Sequence, residues 1–219
     1  MSSNSYEAYC SDVREMFLSI CKVREVQDLS PLSITKEELT GYVESRANSD
    51  EPVSKRTQAR ILSSLRSFFG WLVMEGEIEE NPCDGISSPK IGRYLPSVLS
   101  VEEVEAIMDS VDLTKWNGLR DRAILEMLYG SGLRVSEASA LKISDVFLEE
   151  GFVRVVGKGN KERVVPMDEP AVMAVNNYLP VRPEPSSPKF ADTLFLNKSG
   201  AAISRISVFN MVKKQAMAA

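Results

Sequence analysis

The sequence predicts a mainly α-helical protein with one small β-sheet, divided into an all-helical first domain and an α+β second domain. Three observations carry that reading. Apolar residues recur at helical spacing through the first 80 residues. Residues 81–99 then collect prolines and glycines, among them Pro82, Gly85, Pro89, Gly92 and Pro96. Beyond them, helical stretches are interrupted by two short β-branched runs on either side of a glycine-rich turn.

The first domain, residues 1–80, reads as helices separated by short loops. Residues 6–22 carry Tyr9, Val13, Met16, Phe17 and Ile20 at helical spacing. Thr35 followed three residues later by Glu38 is a capping-box pattern, and Leu39 and Val43 supply the apolar stripe behind it. A longer helix is expected over residues 53–75. Proline has no amide donor and restricts the residue before it, so residues 81–99 cannot form one helix or a central strand. They read as a linker.

The second domain, residues 100–219, opens on another capping box, Ser100 with Glu103, ahead of Val104, Ile107 and Met108. A helix over residues 119–129 ends at Gly130-Ser131-Gly132, and a short one starts near Val135. Residues 152–156 and 163–165 read as paired strands joined by a turn through Gly157-Lys158-Gly159-Asn160. Asp168 is placed to cap a helix continuing to Leu179. Residues 181–192 form a proline-rich loop, residues 193–196 a short strand, and residues 204–219 a last helix. The chain stops inside that helix without a cap or breaker, which reads as a truncation.

Composition narrows the function. With 43% hydrophobic and 26% charged residues, the chain has the balance of an ordinary globular protein. No run of about 18 apolar residues is present to span a membrane, and the polar N-terminus lacks the apolar core of a signal peptide. Cys10, Cys21 and Cys83 are odd in number and match no metal or disulfide spacing. A reducing cytoplasm is the expected compartment. The net charge of −5 argues against nucleic acid as a partner, but a global sum hides local basic surfaces. The chain contains no histidine. That excludes a Ser-His-Asp triad, a zinc site with histidine ligands and any histidine acid–base step within it.

Three segments are candidates for chemistry. Between residues 54 and 69 lie Lys55, Arg56, Arg60 and Arg66 with no acid among them. On a helix, Arg56, Arg60, Ser63 and Ser67 share one face, while Ile61, Leu65, Phe68 and Leu72 share the other. The first face suits phosphates and equally suits plain solvation. In Gly130-Ser131-Gly132-Leu133-Arg134-Val135-Ser136-Glu137, two glycines allow a sharp turn and Arg134 falls at a helix start, where amides already favour an anion. Glu137, one turn on, is placed to hold the guanidinium. The same residues also fit a helix end followed by a surface ion pair. Third, Gly157-Lys158-Gly159-Asn160-Lys161-Glu162-Arg163 puts a lysine at a hairpin tip, where it either reaches a bound nucleic acid or keeps a sheet edge soluble. The order is not that of a Walker phosphate loop.

Taken in order, the last two motifs closely resemble the tyrosine recombinases of the phage integrase family, specifically the bacterial XerC and XerD group. Lys55-Arg56-Thr57-Gln58-Ala59-Arg60 before Phe68-Phe69, then Asn81-Pro82, and Ser88-Pro89-Lys90 before Leu95-Pro96 extend the resemblance over nearly the whole chain. The resemblance implies a SAM-like core-binding domain and a catalytic domain that clamp duplex DNA. It implies attack by a tyrosine on the scissile phosphate, a 3′-phosphotyrosyl intermediate, and religation by a 5′-hydroxyl, with no cofactor or metal. Arg134 then matches the first catalytic arginine and Lys158 the hairpin lysine, with Glu137 in support. Lys55, Arg56, Arg60, Lys161 and Arg163 are the expected DNA contacts.

The resemblance further implies a dif-like site, a tetramer on DNA with itself or a second Xer recombinase, a septal DNA translocase as partner, and resolution of chromosome dimers at cell division. An integrase of a mobile element, or a DNA-binding relative without catalysis, is the alternative. The family pattern continues into a His-x-x-Arg box and the tyrosine nucleophile. Without histidine, the box is absent. Tyr6, Tyr9, Tyr42, Tyr94, Tyr129 and Tyr178 all precede its place, so none is assigned as nucleophile and the chain is expected to be a catalytic domain cut short and inactive on its own.

Overall fold

A computed structural model describes residues 3–92, 98–157 and 161–219. Backbone contacts divide the chain into two units, Met1–Pro96 and Ser97–Ala219.

The first unit is built from α1 (Ser3–Arg24), α2 (Lys36–Ala47) and α3 (Lys55–Met74). Thr35 and Glu38 form the capping box reciprocally: the Thr35 hydroxyl accepts from the Glu38 amide and the Glu38 carboxylate accepts from the Thr35 amide. Arg24, at the end of α1, donates twice to that same carboxylate, at 2.6 and 2.7 Å, and so ties the end of one helix to the start of the next. Met16, Ile20, Leu39, Tyr42, Ile61, Leu62, Leu65, Phe69 and Leu72 fill the core. The division of α3 holds: Ile61, Leu65 and Leu72 are buried and Phe68 partly so, while Arg56, Arg60, Ser63 and Ser67 are exposed.

The linker expected from residue 81 begins as part of this unit. Cys83 and Ile86 are buried in the first core. Asn81 donates from its side chain to the Arg66 carbonyl and accepts from the Cys83 amide. Arg66 in turn donates to the Ile86 carbonyl and the Ser88 hydroxyl. Prolines forbid a helix here, yet two apolar side chains still have a core to enter, and polar side chains satisfy the irregular backbone.

The second unit contains α4 (Val101–Asp109), α5 (Trp116–Tyr129), α6 (Val135–Ala140), α7 (Glu169–Tyr178) and α8 (Arg205–Ala218). A three-stranded antiparallel sheet, β1 (Val146–Phe147), β2 (Phe152–Val156) and β3 (Glu162–Pro166), runs in the order β1-β2-β3. The Ser100–Glu103 capping box and the Asp168 cap form as expected. Ala123, Ile124 and Met127 of α5 pack with Ala171, Val175 and Tyr178 of α7, together with Val153 and Val155 from the inner face of β2.

Residues 193–196 are not the expected strand. They make isolated bridges, Lys142 with Thr193 and Leu196 with Ala202. Leu194, Phe195 and Leu196 are all fully buried, so the alternation of a half-buried strand is missing. Side chains and scattered backbone groups satisfy the segment: Arg182 donates to the carbonyls of Phe190, Ala191, Thr193 and Leu194, Arg120 to that of Leu196, and the Leu194 amide bonds to the Leu141 carbonyl. At two residues, β1 is too short to leave a periodic signal; Phe147 stacks on Phe152 across it at 4.5 Å. Among the described residues, no helix is long and apolar enough to cross a membrane.

Candidate active site

The turn between α5 and α6 is shaped by its two glycines. A Cβ on Gly130 would collide with the Asp168 carboxylate, which lies against it while capping α7. Gly132 has φ +60°, a conformation L side chains rarely adopt. The chain leaves this turn with the Leu133 amide bonded back to the Met127 carbonyl, and Arg134 becomes the N-cap of α6.

Glu137, in the first turn of α6, organises the charges around it. Its side chain is only 4% exposed. It accepts from the Arg134 backbone amide at 2.8 Å and from Arg134 Nη1 at 3.0 Å. It also accepts a two-pronged contact from Arg163, Nη1 to Oε1 at 2.7 Å and Nη2 to Oε2 at 2.9 Å. The Arg163 contact foremost, then the bonds from Arg134, hold the Glu137 carboxyl at a pKa of about 2 although burial pushes it the other way. The same pairing raises the Arg163 guanidinium above its ordinary value. Glu137 is therefore a fixed anion at any physiological pH. Arg134 lies over it with its side chain 73% exposed.

The hairpin enters beside this group. Register pairs Val155 with Arg163 and Val156 with Glu162, and the Gly157 amide donates to the Lys161 carbonyl at 2.8 Å to close the neck. A Cβ on Gly157 would stand 3.5 Å from Arg163 Nη1 and 3.7 Å from Glu137 Oε1. Lys161 is exposed. Lys158, the lysine singled out in the sequence, lies outside the described residues. A cleft of about 290 Å³ next to the cluster is lined by Glu137, Lys142, Asp145, Arg154 and Glu162 among others, with Arg154 paired to Asp145 at 2.6 and 2.9 Å.

The structure thus brings Arg134, Glu137 and Arg163 together. Arg163, expected as a DNA contact, directs both its terminal nitrogens at Glu137 while its side chain stays half-exposed. No local spacing announces that pairing, because it depends on the hairpin register. In the first unit, Lys55 and Arg56 are exposed on α3. Arg60 is bound by Asp12 of α1, a nearly buried carboxylate that also accepts from the Ser64 hydroxyl at 2.7 Å.

Residues 97–219 match the phage integrase family, and residues 1–76 match the N-terminal SAM-like domain of phage integrases. The tyrosine recombinase XerD of Staphylococcus saprophyticus is 36% identical over 222 aligned positions, covering all of this chain and 73% of its own length. XerD of Listeria monocytogenes is 34% identical, over 97% of this chain and 71% of the relative. Among solved structures, a λ integrase dimer bound to a COC′ core site superposes with a TM-score of 0.72 at 16% identity, covering all of this chain and 75% of the other. XerH bound to a palindromic difH substrate gives 0.68 at 22%, covering 99% and 63%. At those identities the structures speak for the fold. The family models and the XerD relatives speak for descent: the chain belongs to the phage integrase family, among the Xer-type tyrosine recombinases.

Proposed function

We propose that this chain supplies the core-binding domain and part of the catalytic domain of a Xer-type recombinase that cuts and rejoins duplex DNA through a 3′-phosphotyrosyl intermediate. The observation that carries the reading is the exposed Arg134, held by a carboxylate that is itself buried and fixed as an anion. Charge grows on the non-bridging phosphate oxygens in the transition state, and a guanidinium already in place stabilises it without reorganising. Lys158, by resemblance, protonates the leaving 5′-oxygen. Lys55, Arg56 and Lys161 offer exposed cations to the phosphate backbone; Arg60 and Arg163 are half-exposed, but their charge is already answered by a buried carboxylate.

By the resemblance to the XerC and XerD group, we further propose resolution of chromosome dimers at a dif-like site, in a tetramer on DNA and with a septal DNA translocase as partner, in the cytoplasm. The mobile-element role shares the chemistry. In this reading the 219-residue chain forms no covalent adduct alone. Tyr42 and Tyr178 are buried in the two cores, and none of its tyrosines follows a His-x-x-Arg box.

The test is a covalent trapping gel on a suicide DNA substrate, using protein expressed from the whole reading frame. Arg134→Ala should slow cleavage by a factor on the order of a hundred or more while binding is largely retained. Lys158→Ala should also be slow, and a 5′-thiol leaving group, which needs little protonation, should restore it. Full cleavage by folded Arg134→Ala protein, or a covalent adduct formed by the 219-residue chain, overturns the reading.

A further inference from the structure

Glu137 takes two hydrogen bonds from Arg134, one from its backbone and one from its side chain, and two from Arg163. Arg163 makes the full fork. Arg134 is attached through Nη1 alone, and among the described residues its Nε and Nη2 have no partner. Two guanidinium groups share one carboxylate, so one positive charge is left over.

We propose that Arg163 is a positioning residue: by occupying both carboxylate oxygens of Glu137, it keeps Arg134 from closing onto that carboxylate as a fork and leaves the Nε–Nη2 edge of Arg134 open to a phosphodiester oxygen. The inference rests on Arg134 being the phosphate ligand proposed above. A carboxylate and a guanidinium prefer two parallel bonds to one. Without Arg163, each oxygen of the buried Glu137 keeps one bond from Arg134 and gains an open lone pair, and the Arg134 guanidinium, already bound at one oxygen, is placed to close on the carboxylate. The resulting pair is neutral and its fork is used internally. With Arg163 in place, Glu137 holds the Arg134 guanidinium through one of its nitrogens and no more. Gly157 lies against the same cluster, so the neck of the hairpin and the turn carrying Arg134 are referenced to one carboxylate.

The experiment is a titration of the 219-residue chain with inorganic phosphate, followed by NMR on the arginine Nε–Hε signals and on the backbone amides of residues 133–137. In the native chain these signals should move saturably. Arg163→Ala should weaken phosphate binding about tenfold or more, the scale of losing one charge-assisted interaction. Arg163→Lys, which keeps the charge and loses the fork, should fall between. The double variant Glu137→Gln/Arg163→Ala should recover to within a few-fold of the native chain, because a neutral amide no longer competes for Arg134. A purely structural role for Arg163 gives a double variant no better than the single one. That result, or unchanged affinity in Arg163→Ala, overturns the inference. Arg134→Ala separates the two readings: if those amides still report undiminished phosphate binding, Arg134 is not the ligand, whatever Arg163 does. Should Arg163→Ala not fold, Arg163→Lys and the double variant still decide.

Discussion

Each unit of the chain contains an arginine–carboxylate cluster, and the two differ in stoichiometry. In the first unit, Arg60 of α3 meets Asp12 of α1, with Ser64 donating to the same carboxylate. One cation answers one anion, and the result ties two helices together. In the second, Arg134 and Arg163 share Glu137. The extra guanidinium satisfies the carboxylate and leaves Arg134 with an unoccupied edge. Both clusters sit on surfaces that read from the sequence as basic and suited to DNA. What separates an arginine that braces the fold from one that is available to an anion is the number of cations per buried carboxylate.

Removing each carboxylate should sharpen that contrast. Glu137→Ala discards four hydrogen bonds at a buried position, and should lower the stability of the second unit by about 2–3 kcal/mol, less than for a fully buried pair because both arginines reach solvent. Chemical denaturation followed by a probe in that unit checks it. The pH dependence has a definite sign. The folded pKa of Glu137, about 2, lies below its ordinary 4.5, so its contribution is present above about 4.5 and is lost as pH falls toward 2. The stability gap between the native chain and Glu137→Gln should therefore widen between those values as pH rises and stay flat above them.

Arg60→Ala should act mainly on the fold. It leaves Asp12, 8% exposed at its side chain, with only the Ser64 hydroxyl, at a cost of about 1–2 kcal/mol. A thermal melt of the first unit reads this, and an unchanged melt would mean the pair is not a brace. Asp168→Ala should cost about 1 kcal/mol through the lost cap on α7. The smallest effects belong to α3. Lys55→Ala and Arg56→Ala should each reduce the slope of log affinity for duplex DNA against log salt by about 1, the mark of one phosphate contact. Arg60→Ala should change it less, because Asp12 already neutralises that charge. Equal slopes for all three would erase the distinction drawn between exposed and braced cations.

Much of this was legible in the sequence. Helical spacing placed α1 and α3, and three caps, at Thr35, Ser100 and Asp168, placed α2, α4 and α7, because caps are local chemistry. The Gly130–Gly132 turn and the strand pair were visible for the same reason. What escaped depends on distant partners. Leu194-Phe195-Leu196 looks like a strand until Arg182 is seen serving the neighbouring carbonyls. Cys83 and Ile86 look like linker until α3 offers them a core. Asp12 and Arg60 are 48 residues apart, and Glu137 and Arg163 are 26 apart. Charge runs show where cations are; only the fold shows which carboxylates have claimed them.

The comparison between the two clusters can be settled in one sample. With the arginine side chains labelled, inorganic phosphate is added to the native 219-residue chain and the Nε–Hε signals of Arg134 and Arg60 are followed together. The account requires Arg134 to shift saturably while Arg60 stays in place. An Arg60 signal that moves with the same midpoint, or an Arg134 signal that does not move, contradicts it.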